Sequence, residues 1–230
     1  MPVEGTTVAL VLHLPKRTSA PCVVACHGLS ASKDSEKYLL LGREFPKAGW
    51  ALARFDFRGS GESAGVYADT TVGSRVRDLE AVLNFLADQP TVDGRFGLLG
   101  SSMGGYVALF VAAHRSPATP VVTWNAPATL SELGQPRSED LAGLGPAFFD
   151  ELSAGRYVDA PSGVRFCLTI QADGDEVVPP RHGQLLFERA LDPRELVMLP
   201  GADHRLTTPG SRMEAVTRSL EWFRRFLPAG

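Results

Sequence analysis

Gly100-Ser101-Ser102-Met103-Gly104 is the segment whose residue types and spacing point most directly to chemistry. The apolar run Phe96-Gly97-Leu98-Leu99 precedes it, and Tyr106-Val107-Ala108-Leu109-Phe110 follows with helical character. A serine flanked at two residues by glycines, entered from a strand and left by a helix, fits a sharp turn that lifts its hydroxyl above a sheet edge. Such a turn strains the serine backbone and tolerates only very small neighbours, which Gly100 and Gly104 supply. It also leaves the Met103 N–H at a helix N-terminus, aimed where an oxyanion would develop. The chemistry implied is nucleophilic attack by Ser102. Ser101 competes for the role but does not stand between the two glycines.

A serine hydroxyl is a poor nucleophile at neutral pH and needs an adjacent base. The chain has five histidines. His13 lies in an N-terminal strand and reads as a surface residue. His114 closes the helix after Ser102, where a cation suits the helix dipole. His182 opens a helix after Pro179-Pro180, and His27 ends a strand. His204 follows Pro200-Gly201-Ala202-Asp203, between the last strand and the last helix. That loop falls on the same sheet edge as Ser102, so His204 is the expected base. A base needs an orienting acid. Asp173, Asp175 and Glu176 all stand just past the strand that ends near Gln171, and position alone leaves the three open.

The elements that must hold these groups alternate along the chain. Short apolar runs predict strands over 7–14, 21–26, 51–56, 95–99, 120–125, 165–171 and 195–199. Continuous runs such as Cys22-Val23-Val24-Ala25-Cys26 suit parallel strands covered on both faces. Amphipathic stretches predict helices over 37–48, 72–87, 103–113, 181–190 and 211–226. In the last, Val216, Leu220, Phe223 and Phe226 form a stripe suited to packing on the sheet. The expected fold class is α/β: a single domain over 1–230 with a mostly parallel sheet of about seven to eight strands and helices on both faces. Residues 126–163 break the rhythm with four prolines and no strand pattern, and are expected to form a short lid or cap insertion. Phe148, Phe149, Leu141, Leu144 and Tyr157 there would form an acyl or aromatic pocket, with Trp124 and Asn125 beside it. The competing reading is that Phe148-Phe149 only pins the insertion to the domain.

Four motifs together resemble the α/β-hydrolase superfamily over nearly the whole chain. They are His27-Gly28, the run Asp56-Phe57-Arg58-Gly59-Ser60-Gly61-Glu62-Ser63, the Ser102 turn, and Asp175-Glu176-Val177-Val178-Pro179 followed by His204. The chain order Ser, acid, His is that of the superfamily's triad. Residues 27–63 look most like bacterial carboxylesterases of the cinnamoyl/feruloyl esterase group and the related serine aminopeptidase-like hydrolases. The resemblance selects Asp175 as the acid, because in those families the acid stands immediately before x-x-Val-Pro. It implies that Leu29 donates a second oxyanion N–H beside Met103, that His27 braces its loop, and that Asp56 and Arg58 fix theirs. Two departures are evident. Gln171-Ala172 stands where His-Gly is usual, a change expected to affect packing more than chemistry. The hairpin before residue 7 is shorter than in typical members, so the first strand is expected to be short or missing.

The implied activity is hydrolysis of carboxylic esters of small to medium acyl or aromatic acids through an acyl-enzyme on Ser102, with no metal and no cofactor. An aminopeptidase or amidase on the same triad would bind a free amine through Glu132, Glu139, Asp140, Asp150 or Glu151. An acyltransferase or perhydrolase is a third reading, and a non-enzymatic scaffold a fourth, disfavoured by the complete triad. Dehalogenase chemistry would need a carboxylate in place of Ser102.

Composition narrows the rest. The 230 residues are 44% hydrophobic and carry a net charge of −3, from 23 Lys+Arg against 26 Asp+Glu. That is globular composition without the basic excess of a nucleic-acid binder. The partner expected is a small-molecule ester, with neither nucleic acid nor membrane. Cys22, Cys26 and Cys167 make an odd, sparse set without metal spacing. Residues 1–5 show no signal-peptide or lipid-anchor pattern. A cytoplasmic location is the resulting expectation.

Overall fold

The computed structural model describes residues 1–115, 118–134 and 141–229. A hairpin comes first, β1 (Pro2–Val3) with β2 (Thr6–Thr7), closed by Glu4 and Gly5, both at positive φ. That is the two-residue turn whose twist suits a hairpin. The main sheet comprises β3 (Leu10–His13), β4 (Ala20–Cys26), β5 (Ala51–Phe55), β6 (Val92–Ser101), β7 (Val121–Trp124), β8 (Cys167–Ala172) and β9 (Arg194–Leu199). Their order is β3-β5-β4-β6-β7-β8-β9, with β3 antiparallel to β5 and every other pair parallel. The run expected as one strand over 7–14 is therefore divided between β2 and β3.

Both faces of the sheet are covered. Along β4, Cys22, Val24 and Cys26 enter one core while Val23 and Ala25 enter the other, the two-residue alternation of a strand. The first core is closed by α2 (Val72–Ala87), α3 (Met103–Arg115) and α5 (Arg181–Arg189), and the second by α1 (Glu36–Lys47) and α6 (Pro209–Phe226). Val216 and Phe223 of α6 are buried in the second core, as their stripe predicts. Helix α2 starts on a capping box in which the Thr71 Oγ1 accepts from Ser74 N–H and the Ser74 Oγ accepts from Thr71 N–H.

From β4 the chain moves one way across the sheet to β5, then returns past β4 to β6 and on to β9. The strand order reverses between β4 and β6. At such a switch point the loops leaving neighbouring strands diverge and open a crevice at the C-terminal edge. The loop after β4 carries Leu29, and the turn after β6 carries Ser102.

The described parts of 126–163 contain a 3-10 turn (Ser131–Gly134) and α4 (Pro146–Ser153). They dock on the α2/α3 side. Phe148 is buried in that core, the Glu151 Oε2 accepts the Gly73 N–H at the start of α2 (3.0 Å), and the Tyr106 hydroxyl donates to the Tyr157 carbonyl (2.9 Å).

Candidate active site

Ser102 sits at φ +54°, a left-handed conformation that a side chain strains to adopt. Its N–H is held by the Trp124 carbonyl at the end of β7 (2.8 Å). The turn closes only on glycine. A Cβ on Gly100 would collide with the Gly104 carbonyl, and one on Gly104 with the Cys26 carbonyl of β4. The strained serine is thus wedged between β4, β6 and β7, with its hydroxyl at the crevice.

His204 Nε2 stands 3.1 Å from the Ser102 Oγ, and its Nδ1 lies 2.8 Å and 2.9 Å from the two carboxylate oxygens of Asp175. The Asp175 side chain is fully buried. Its Oδ1 accepts the N–H groups of Val177 (2.9 Å) and Val178 (2.7 Å), and its Oδ2 accepts from the Gln171 Nε2 (3.3 Å). Donors on both oxygens fix the orientation of the carboxylate. Of the three acids left open by position, geometry brings only Asp175 to the imidazole. The Asp173 Oδ1 accepts the Gly201 N–H, and Glu176 reaches the His204 backbone N–H at 3.4 Å.

The other histidines are occupied elsewhere. His13 accepts from Arg54, His114 lies on the Phe110 carbonyl, and the His182 Nδ1 accepts from the Ala128 N–H. His27 is fully buried, and burial pushes it down to about 3, so it is neutral. Its Nε2 accepts the Phe57 N–H (3.0 Å), which leaves Nδ1 protonated and donating to the Gly28 carbonyl (2.7 Å). Asp56, also fully buried, accepts the N–H groups of Lys33 and Glu62, and Arg58 grips Asp78. All three sit where loop-bracing residues belong.

Leu29 and Met103 flank Ser102 from β4 and α3. Among the described residues neither backbone N–H has an acceptor. The Leu29 N–H shares its peptide plane with the Gly28 carbonyl, which is held by His27 Nδ1 and by Arg75 Nη1 (3.3 Å). Anchoring the carbonyl end of a trans peptide fixes the direction of its N–H. Arg75 also reaches the His27 carbonyl (3.3 Å) and stacks 4.6 Å from the Phe57 ring centre.

A cavity of about 310 Å³ opens beside Ser102 and His204. Its described lining comes from residues 28–37, 101–102 and 204–212, and none of it from 126–163. The expected pocket residues need correction here. Trp124 is buried among the α1/α6 core residues, its Nε1 donating to the Ser219 Oγ (3.1 Å), because strand alternation turns it away from the site. Phe148 is buried in the α2/α3 core, and Phe149 is exposed and packs edge-on against it. The Phe148-Phe149 pair pins its segment to the domain. Glu139 and Asp140 lie outside the described residues. Glu132 pairs with Arg181.

The sequence reading gave no site role to Arg75 or Lys37, and it named Gln171 only for packing and Asn125 only beside the pocket. Gln171 touches the acid rather than only packing. Asn125, at φ +51°, ties three loops: its Nδ2 donates to the carbonyls of His204 (2.9 Å) and Asp203 (3.3 Å), and its Oδ1 accepts the Ala172 N–H (2.7 Å). Asn at a strand end is the one signal that hinted at it, since Asn tolerates that conformation.

A strained serine, a histidine and a buried carboxylate in line, beside two unengaged backbone donors, make a set suited to acyl transfer. The family model described as serine aminopeptidase, S33, matches residues 18–144. The chain belongs to this family. Among similar proteins, an Escherichia coli protein of 31.7 kDa from the traX-finO intergenic region is 32% identical over 112 residues, 46% of this chain and 38% of that protein. The mitochondrial palmitoyl-protein thioesterase ABHD10 of Rattus norvegicus is 30% identical over 95 residues, 41% of this chain and 30% of its own length. The chain thus spans well under half the length of either relative. The structure of Est1E from Butyrivibrio proteoclasticus with ferulic acid superposes with a TM-score of 0.87, at 18% identity and 98% coverage of both chains. The fold is the α/β-hydrolase fold. Among the described residues, no helix is long and apolar enough to cross a membrane, and no cluster of three or more His, Cys, Asp or Glu is placed to hold a metal ion.

Proposed function

We propose that the chain is a serine hydrolase that cleaves carboxylic esters of small to medium acids through an acyl-enzyme on Ser102. The observation that carries this reading is the line Ser102 Oγ, His204, Asp175, at 3.1 Å and 2.8 Å. His204 Nε2 takes the Ser102 proton as Oγ bonds to the ester carbonyl carbon. The oxyanion draws the N–H groups of Leu29 and Met103, each such donor typically worth ~10²–10³ in rate. The carbonyl reforms, the alkoxide leaves with the proton from His204, and water repeats the sequence to release the acid and free Ser102. Asp175 holds the imidazole tautomer throughout.

The charge beside Ser102 favours esters over peptides with a free N-terminus. An aminopeptidase recognises an ammonium group through acids, yet the Lys37 ammonium lines the cavity, and among the described lining residues the one carboxylate, Glu36, is paired with Arg212. The partner in this reading is a small-molecule ester, and the three buried free cysteines fit a reducing compartment such as the cytoplasm. The test is hydrolysis of p-nitrophenyl esters across acyl lengths, beside methyl ferulate and an aminoacyl-p-nitroanilide. Ester turnover without anilide cleavage supports the reading. Anilide cleavage with no ester turnover overturns it.

A further inference from the structure

The basic side chains at the Ser102 cavity have more to do than repel amines. Lys37 is in the first turn of α1 and lines the cavity together with Ser101, Ser102 and His204. Nζ donates to the Ser101 Oγ at 2.8 Å. Among the described residues no carboxylate lies within ion-pair distance of it, unlike Lys33 in the loop before α1, which Asp34, Asp56 and Glu62 surround. An ammonium has three N–H bonds to place, and Ser101 takes one. Arg212, from the first turns of α6, also lines the cavity, paired with Glu36 and donating to the Thr207 carbonyl (2.9 Å), and Arg205 lines it as well. Among the described lining residues Glu36 is the one carboxylate, and Arg212 takes it, so the Lys37 ammonium sets the field inside the cavity, and low-dielectric walls strengthen it.

We propose that this cavity receives an anionic group of the ester substrate, a carboxylate or phosphate on its acyl or its alcohol side, and that Lys37 binds it. The proposal rests on the esterase reading and names the substrate class for that same site. A neutral ester leaves the Lys37 ammonium half-buried without a counter-charge. An anionic ester supplies one and gains a charge-assisted hydrogen bond. Ser101, which sequence alone offers only as a rival nucleophile, becomes the residue that holds the ammonium in place.

Burial, then the Arg205 charge, push Lys37 down to about 8, against the opposing pull of Asp203 and Asp175. The charged groups acting on it are Arg205, Asp203 and Asp175, and Arg212, Glu36 and His204 share the cavity lining with it. Lys37 is charged below that pH and loses its proton above it. The preference for an anionic ester is accordingly full near pH 7 and fades as pH rises through about 8.

The experiment compares kcat/KM for matched esters at pH 7. On the acyl side, the mono-p-nitrophenyl ester of adipic acid is set against p-nitrophenyl hexanoate. On the alcohol side, the acetate of para-hydroxybenzoate is set against the acetate of its methyl ester. The expected result is a preference for the anionic member, on the order of tenfold or more, in at least one pair, the size of a charge-assisted hydrogen bond. The pair that shows it identifies which side enters the cavity. Lys37→Met should cut the anionic-to-neutral ratio by a similar factor, Lys37→Arg should restore most of it, and Lys47→Met, at the exposed end of the same helix, should leave the ratio alone. Wild-type protein that turns over neutral esters as fast as their anionic partners in both pairs overturns the proposal and leaves the esterase reading standing. That comparison needs no variant to fold. A preference that survives in Lys37→Met overturns the assignment to Lys37. Folded protein that hydrolyses no ester, charged or neutral, overturns the esterase reading and this proposal with it.

Discussion

Replacing Arg75 by Met should separate stability from activity. The guanidinium is almost fully buried, and its Nε and Nη2 have no hydrogen-bond partner among the described residues. Burial pushes Arg75 from 12.5 down to about 10. Its folded value lies below its unfolded one, so at pH 7 the group is charged in both states and the fold carries a penalty, relieved only above pH 10. A shift of that size corresponds to about 3 kcal/mol. Against it stand two long hydrogen bonds from Nη1, each worth about 1 kcal/mol, and the stack on Phe57. Methionine keeps most of the apolar packing and removes the charge and both orphaned donors. The variant should therefore lie within about 1 kcal/mol of the parent or be more stable, a change in Tm between about −4 °C and a few degrees upward for a domain of this size. Activity should move the other way. Without Nη1 the Gly28 carbonyl keeps only His27, and the Leu29 N–H loses part of its aim. Because outright loss of an oxyanion donor costs ~10²–10³, a loosened one should lower kcat by about tenfold, with KM little changed. Differential scanning fluorimetry and steady-state kinetics on a p-nitrophenyl ester read the two quantities. A Tm lower by ~8 °C or more would refute the charge argument, and an unchanged kcat would refute the positioning argument.

Asn125→Gly removes two hydrogen bonds that hold the His204 loop and one to the end of β8, and should lower stability by about 2–3 kcal/mol and kcat/KM by tenfold or more. Asn125→Ala should cost about 1 kcal/mol beyond the glycine variant, since φ +51° strains any Cβ, and urea denaturation measures the difference. Phe148→Ala should destabilise the fold by about 3–5 kcal/mol while leaving KM for short esters unchanged, because the ring fills the α2/α3 core rather than the cavity. Burial raises all three thiols, Cys22 and Cys167 to about 12, so at pH 8 they stay protonated. Ellman's reagent should react with none of them until denaturant is added, whereas fast labelling of the native protein would show the sheet to be open.

Two members of the candidate triad were legible from local rules: Ser102 stands between glycines two residues away, and His204 just past a strand end on the same edge. Position left Asp173, Asp175 and Glu176 open, and only the family resemblance chose Asp175. What escaped the sequence is orientation. Both faces of this sheet are buried, so Val121-Val122-Thr123-Trp124 is apolar on both sides and carries no phase. Nothing in the run says that Trp124 faces α6 rather than the crevice. The pair Phe148-Phe149 has the same ambiguity, since a ring that pins a segment and one that meets substrate have the same composition. Lys37 and Arg75 were invisible for another reason. A basic residue on an amphipathic helix is ordinarily solvated, and only the packed loops around them remove the water. Gln171 was read as a packing change because the strand position was known and the neighbour across the turn was not. The strand over 7–14 was overextended because its apolar residues continue through the crossing from the hairpin into the sheet.

The account stands most directly on Ser102 becoming covalently acylated. Intact-mass spectrometry of the protein after brief exposure to a p-nitrophenyl ester, and separately to a fluorophosphonate, measures this. The prediction is a single acyl or phosphonyl adduct, mapped by peptide digestion to Ser102 and absent from a folded Ser102→Ala variant. An adduct on another residue, or ester turnover undiminished in Ser102→Ala, would contradict the account.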